Sequence, residues 1–163
     1  MYVDFDYDCL ESVDRHIADN GTCYFSKEPD DHCRMSGKGL YFSNALMITP
    51  PGHPFFDCVI KHLQSTPFVY TGNKMRDVLR STGPLMLTSL YETFKDKHTV
   101  DFFSPELVSP WTKNEVQNYI NGIADMEELE KKLDKAFAIH YFFGTWLNEI
   151  QPSFRKELVA FTH

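Results

Sequence analysis

Tyr2-Val3-Asp4-Phe5-Asp6-Tyr7-Asp8-Cys9-Leu10 is the stretch on which the reading of this chain turns. Tyr2, Val3 and Phe5 are good strand formers, so residues 1–5 read as a strand that enters an acidic turn. Such a strand delivers Asp4 and Asp6 to its end. Carboxylates two apart at a strand end can converge on a hard divalent cation. Mg²⁺ or Mn²⁺ in such a place keeps waters and phosphate oxygens in its remaining positions. The chemistry that uses this is transfer from a nucleoside-diphosphate donor, where the metal neutralises charge on the leaving diphosphate. The competing reading is a solvated acidic turn, because a bare Asp-x-Asp is common by chance.

The charge distribution fits either a solvated face or a place for cations. The net charge is −7, and residues 1–31, with nine acids against two bases, account for all of it. That is no footprint for nucleic acid, which needs a basic surface. A length of 163 residues suits one domain, 1–163, with a buried core. Aromatics at 15% argue against disorder. No apolar run reaches the roughly 18 residues of a membrane span. The N-terminus carries acid where a secretory signal would be basic. The expectation is a cytoplasmic chain with free thiols at Cys9, Cys23, Cys33 and Cys58, membrane association being left open.

Further along, Thr22 to Phe25 and Leu40 to Ile48 read as strands, with turn and loop material between them. Ser43-Asn44 interrupts the second. His53-Pro54 opens a helix with Phe55, Val59, Ile60 and Leu63 as its buried stripe, and Thr66-Pro67 stops it. Residues 68–82 are mixed. Gly83-Pro84 starts a helix burying Leu85, Leu87, Leu90, Tyr91 and Phe94. Thr99 to Phe103 reads as a strand, residues 105–111 as loop or short strand, Met126 to Lys135 as an exposed helix, and Ala136 to Phe143 as a strand. Residues 154–161 read as a closing helix. Strands alternating with helices give an α/β layered domain. Its first strand has no lead-in, so that strand lies at a sheet edge or part of the domain precedes it.

Four blocks in order carry a resemblance. Residues 2–10 are followed by Ser43-Asn44-Ala45 and Gly52-His53-Pro54-Phe55, then by Thr82-Gly83-Pro84 with Leu85-Met86-Leu87-Thr88, then by His140-Tyr141-Phe142-Phe143-Gly144-Thr145-Trp146. Together they resemble the DXD-containing sugar-binding region of glycosyltransferase family 32, a group of mannosyl and capsular-polysaccharide transferases. The resemblance implies a GT-A-like, Rossmann-like fold and a metal-dependent transfer of a hexose from a nucleoside-diphosphate sugar to a glycan or lipid acceptor. By the same resemblance Asp4 contacts the donor sugar or ribose, Asp6 binds Mn²⁺ or Mg²⁺, and His140 reaches the metal or the diphosphate. The family's nucleotide-binding half should precede the DXD strand, and Met1 stands where a Gly-Gly pair is usual. The chain therefore reads as an N-terminally truncated domain that needs that half, fused or in trans, for turnover, and whose exposed half-core favours association with another chain, a homo-oligomer included. The alternatives are an inactive sugar-binding remnant and an unrelated cation-binding α/β protein.

Several residues have a second reading from their own surroundings. His140, at the end of an apolar strand, is either a satisfied core side chain or the group that reaches the metal or diphosphate. Asn44 either hydrogen-bonds a sugar hydroxyl or marks a bulge. Thr82 and Gly83 either offer free N–H groups to an anion or simply cap a helix. His53 reads as a cap and packing residue, Asp8 as facing solvent or capping the next turn, and Arg76 and Arg80 as surface cations by default, with contact to a diphosphate as the alternative. No residue is identifiable as a nucleophile or a catalytic base.

Overall fold

Cys23-Tyr24-Phe25-Ser26-Lys27 is the strand around which the rest is arranged, and its first four residues are buried. Cys23 and Phe25 enter one apolar cluster and Tyr24 another, as the alternation of side chains along a strand requires. A strand buried on both faces must lie inside a sheet. In this computed structural model, which describes residues 1–18 and 20–144 with the side chain of Met35 excepted, it does.

Among the described residues the main sheet has four strands in the order β1 (Tyr2–Val3), β4 (Phe42–Ile48), β3 (Cys23–Lys27) and β5 (Val100–Phe103). β4 runs antiparallel to β1 and β3, and β5 runs parallel to β3. A second, two-stranded sheet pairs β2 (Tyr7–Cys9) antiparallel with β6 (Ala138–His140). The architecture is thus mixed α/β with a mixed sheet. The first strand is an edge strand, and it is shorter than residues 1–5. Asp4 already lies beyond it.

One face of the main sheet is covered by α2 (Pro54–Ser65) and α4 (Pro84–Thr93). Phe55 and Val59 from α2 and Met86 and Leu87 from α4 pack with Cys23, Phe25, Phe42 and Val100. Phe25 touches Phe42, Phe55 and Phe56 at ring-centroid distances of 5.0, 5.6 and 5.9 Å. Burying one such ring stabilises the fold by about 1.5–3 kcal/mol. The opposite face packs Tyr24, Leu46 and Phe103 on Val108, Phe137 and Ala138. A third cluster, Trp111, Val116, Leu129 and Ile139, seats α6 (Lys113–Ile120) and α7 (Met126–Leu133) beside β6.

The structure corrects several sequence expectations. Ile60 and Leu63 are exposed on α2, although their spacing puts them on an apolar stripe. On α4 the buried residues are Met86, Leu87 and Thr88, with Leu90, Tyr91 and Phe94 packed at the margin. The loop region holds a helix α1 (Asp30–Ser36), and the mixed region holds α3 (Lys74–Ser81). Residues 105–108 form one helical turn, α5 (Pro105–Val108). The strand expected over 136–143 is confined to 138–140. Thr145, Trp146 and the helix expected over 154–161 lie outside the described residues.

Candidate functional site

Between β1 and β2 the chain passes from the large sheet to the small one in three residues. Each end of this passage is fastened by the backbone. Asp4 N–H donates to Ala45 O of β4 at 2.8 Å, and Tyr141 N–H, just past β6, donates to Asp6 O at 2.9 Å. Phe5, between them, is fully exposed. The two carboxylates therefore stay on the protein while the intervening ring points away.

His140 comes from the other side. In the β2–β6 ladder Tyr7 is paired with His140, and their rings stack at 4.4 Å and 6°. That register, together with the Phe142 ring at 4.1 Å, holds the imidazole in place. Asp4, Asp6 and His140 each offer one ligand atom, and these atoms all lie within 4.8 Å of one another. His140 is buried and the two aspartates are half-buried.

Hydrogen bonds orient both carboxylates. Tyr2 OH donates to Asp4 Oδ1 at 2.6 Å. Phe143 N–H donates to Asp6 Oδ2 at 2.9 Å, and His140 Nε2 lies 3.5 Å from the same oxygen. Burial works to raise the Asp6 pKa. The contact and charge of His140, with the Phe143 N–H, outweigh it and hold the carboxyl below its ordinary value. A carboxylate offers about four lone-pair sites, so both aspartates keep acceptor capacity for a further partner. The turn that brings Phe143 N–H to Asp6 runs through Phe142 at φ 52°, a left-handed conformation that a bulky side chain rarely adopts.

Two carboxylates and an imidazole converging at this distance can hold a divalent cation. Oxygen ligands alone suit Mg²⁺. The imidazole tilts the set toward a first-row transition metal such as Mn²⁺. Asp8 is exposed and accepts from Tyr141 OH at 2.8 Å, outside the cluster.

The remaining sequence candidates are placed as follows. Asn44 sits where β4 leaves its ladder with β3: Ser26 pairs with Ser43 but Phe25 pairs with Met47. The register of the two strands shifts there, and the Asp4 anchor at Ala45 lies within the interruption. His53 is buried. Its Nδ1 accepts from Phe55 N–H at 3.2 Å and its Nε2 donates to Thr99 O at 3.0 Å, which is the cap and packing role. Thr82 and Gly83 join α3 to α4. Their N–H groups both donate to Val78 O, at 3.1 and 3.0 Å, so these two are occupied by the helix end.

Tyr2, Tyr7 and Phe143 were not singled out from sequence. Tyr2 and Asp4 are two apart, on one face of an extended segment, so a period of two signals their contact. Tyr7 and Phe143 carry no such signal, because their partners lie far along the chain.

Compared with models of known protein families, with curated proteins and with solved structures, the chain matches none.

Proposed function

We propose that this chain is the metal-binding, sugar-facing part of a nucleotide-sugar glycosyltransferase of the GT-A type. Asp4, Asp6 and His140 hold Mn²⁺, or Mg²⁺ more weakly, and the metal takes the diphosphate of a nucleoside-diphosphate sugar. A bound cation supplies charge neutralisation for the leaving diphosphate. The observation that carries this reading is the convergence of both aspartates of the Asp-x-Asp with a histidine from the far end of the chain. Asn44, in the interruption beside Asp4, is the candidate for a sugar hydroxyl. The acceptor in this reading is a glycan or lipid.

The test is calorimetry with UDP and GDP, with and without Mn²⁺. The expected result is nucleotide binding that needs the metal, since a hard cation completes its shell with phosphate oxygens. Metal binding that neither nucleotide affects would favour a plain cation-binding protein. Nucleotide binding independent of the metal would refute the proposal.

A further inference from the structure

The end of α2 and the loop after it carry an apolar strip that stands open. Ile60 and Leu63 lie one turn apart on α2 and are both exposed. The loop continues with Phe68, Val69 and Tyr70, which are 60%, 68% and 71% exposed. Three consecutive large apolar residues left this open form more than a scattered surface residue, and such strips mark interaction sites.

The same surface is basic. Residues 61–80 hold Lys61, Lys74, Arg76 and Arg80 against a single acid, Asp77. The Asp77 carboxylate is engaged by the loop. The residue is buried, and its carboxylate accepts from Thr71 N–H at 2.9 Å and from the Thr71 hydroxyl at 2.6 Å. Lys61, Arg76 and Arg80 are exposed. This local excess of positive charge stands out on a chain of net charge −7. The apolar strip and α3 meet in one groove, in which Leu63 and Val69 line the wall together with His62, Arg80 and Asp77. The loop is also held in shape. The Thr71–Asp77 pair ties it down, and the Asn73 side chain caps α3 by accepting from Arg76 N–H at 3.0 Å.

We propose that Phe68-Val69-Tyr70 and the basic face of α3 form a docking surface for an anionic lipid bilayer. The aromatic rings enter the boundary between headgroups and acyl chains, where an apolar body with a polar tip is favoured. Arg76 and Arg80 meet lipid phosphates and carboxylates at the headgroup level. The positive charge favours an anionic partner, and three consecutive exposed apolar side chains beside it suit the headgroup boundary of a bilayer. The surface shares no residue with the Asp4, Asp6 and His140 cluster, so it stands or falls independently of the metal.

The experiment is co-sedimentation of the 163-residue chain with vesicles of phosphatidylcholine, with and without phosphatidylserine. The chain is expected to sediment with the anionic vesicles, to stay free of the neutral ones, and to be released by salt. Phe68→Ser with Tyr70→Ser should weaken partitioning by about tenfold or more. Arg76→Gln with Arg80→Gln should weaken it by about 25-fold, at roughly fivefold for each cation. Tyr70→Trp in an otherwise unchanged chain should shift its fluorescence to the blue on anionic vesicles, a readout that does not depend on the double variants folding. Absence of sedimentation and of that shift would overturn the proposal. So would sedimentation unchanged in both double variants. Self-association abolished by the Phe68 and Tyr70 pair, without vesicle binding, would assign the strip to a second copy and also overturn it.

Discussion

Phe142 is a bulky residue at φ 52°, set there so that Phe143 N–H can reach the Asp6 carboxylate. Its ring contacts both His140 and His32. A non-glycine residue in this region costs about 1–3 kcal/mol. Phe142→Ala keeps that cost and loses the ring, whereas Phe142→Gly loses the ring and relieves the backbone. The glycine variant should therefore be the more stable of the two by about 1 kcal/mol, reversing the usual order in which alanine is preferred. Urea unfolding of the pair checks this, and an alanine variant at least as stable as the glycine variant would contradict the left-handed turn. His140 was legible as a site candidate through its motif. The side chains and backbone that hold it were not, because stacking by Tyr7 follows from a strand register and no local sequence pattern encodes it.

At the scale of elements, two junctions decide how the helices sit. Gly83 joins α3 to α4, and a Cβ there would lie 2.9 Å from Leu79 Cα and 3.1 Å from Val78 O. Both are backbone atoms, which cannot move aside cheaply. Gly83→Ala should destabilise the protein by about 1–3 kcal/mol, read as a fall in the thermal midpoint. The second junction is the ion pair between Lys132 of α7 and Glu115 of α6, where Glu115 also closes a capping box with Thr112. Burial works to raise the Glu115 pKa, but Lys132 and Thr112 outweigh it and lower it. A depressed carboxyl pKa contributes stability that is present above its unfolded value, about 4.3, and is lost as pH falls through the folded value. Glu115→Gln should thus cost up to about 1 kcal/mol at pH 7 and progressively less as pH falls below the ordinary carboxylate range. A thermal-denaturation difference that stays constant over that fall in pH would contradict it. Helix α6 was not read from the sequence, although Thr112 and Glu115 form a capping-box pair ahead of Val116 and Ile120. Strands β2 and β6 were harder, because three residues each are too few for a period to show. The stripe on α2 was legible as a pattern, but a pattern does not say what covers it, and Ile60 and Leu63 proved exposed.

For the whole molecule, the alternation of strands and helices was enough to give an α/β class. It did not give the order of the sheet or the second sheet, because both rest on pairings between distant segments. The site depends on those pairings. Asp6 and the Phe143 N–H that orients it are 137 positions apart. The large sheet holds Asp4 through β4, and the small sheet holds Asp6 and His140 through β2 and β6. A cation bound by all three therefore reports that the two sheets are assembled as described. The most direct measurement is a calorimetric titration of Mn²⁺ into the wild-type chain, into Asp6→Asn and into His140→Ala. The account predicts one Mn²⁺ site in the wild type, weakened at least about tenfold in each variant. Absence of Mn²⁺ binding by the folded wild type, or variants that bind it as well as the wild type does, would contradict the assignment of Asp4, Asp6 and His140 as a metal centre.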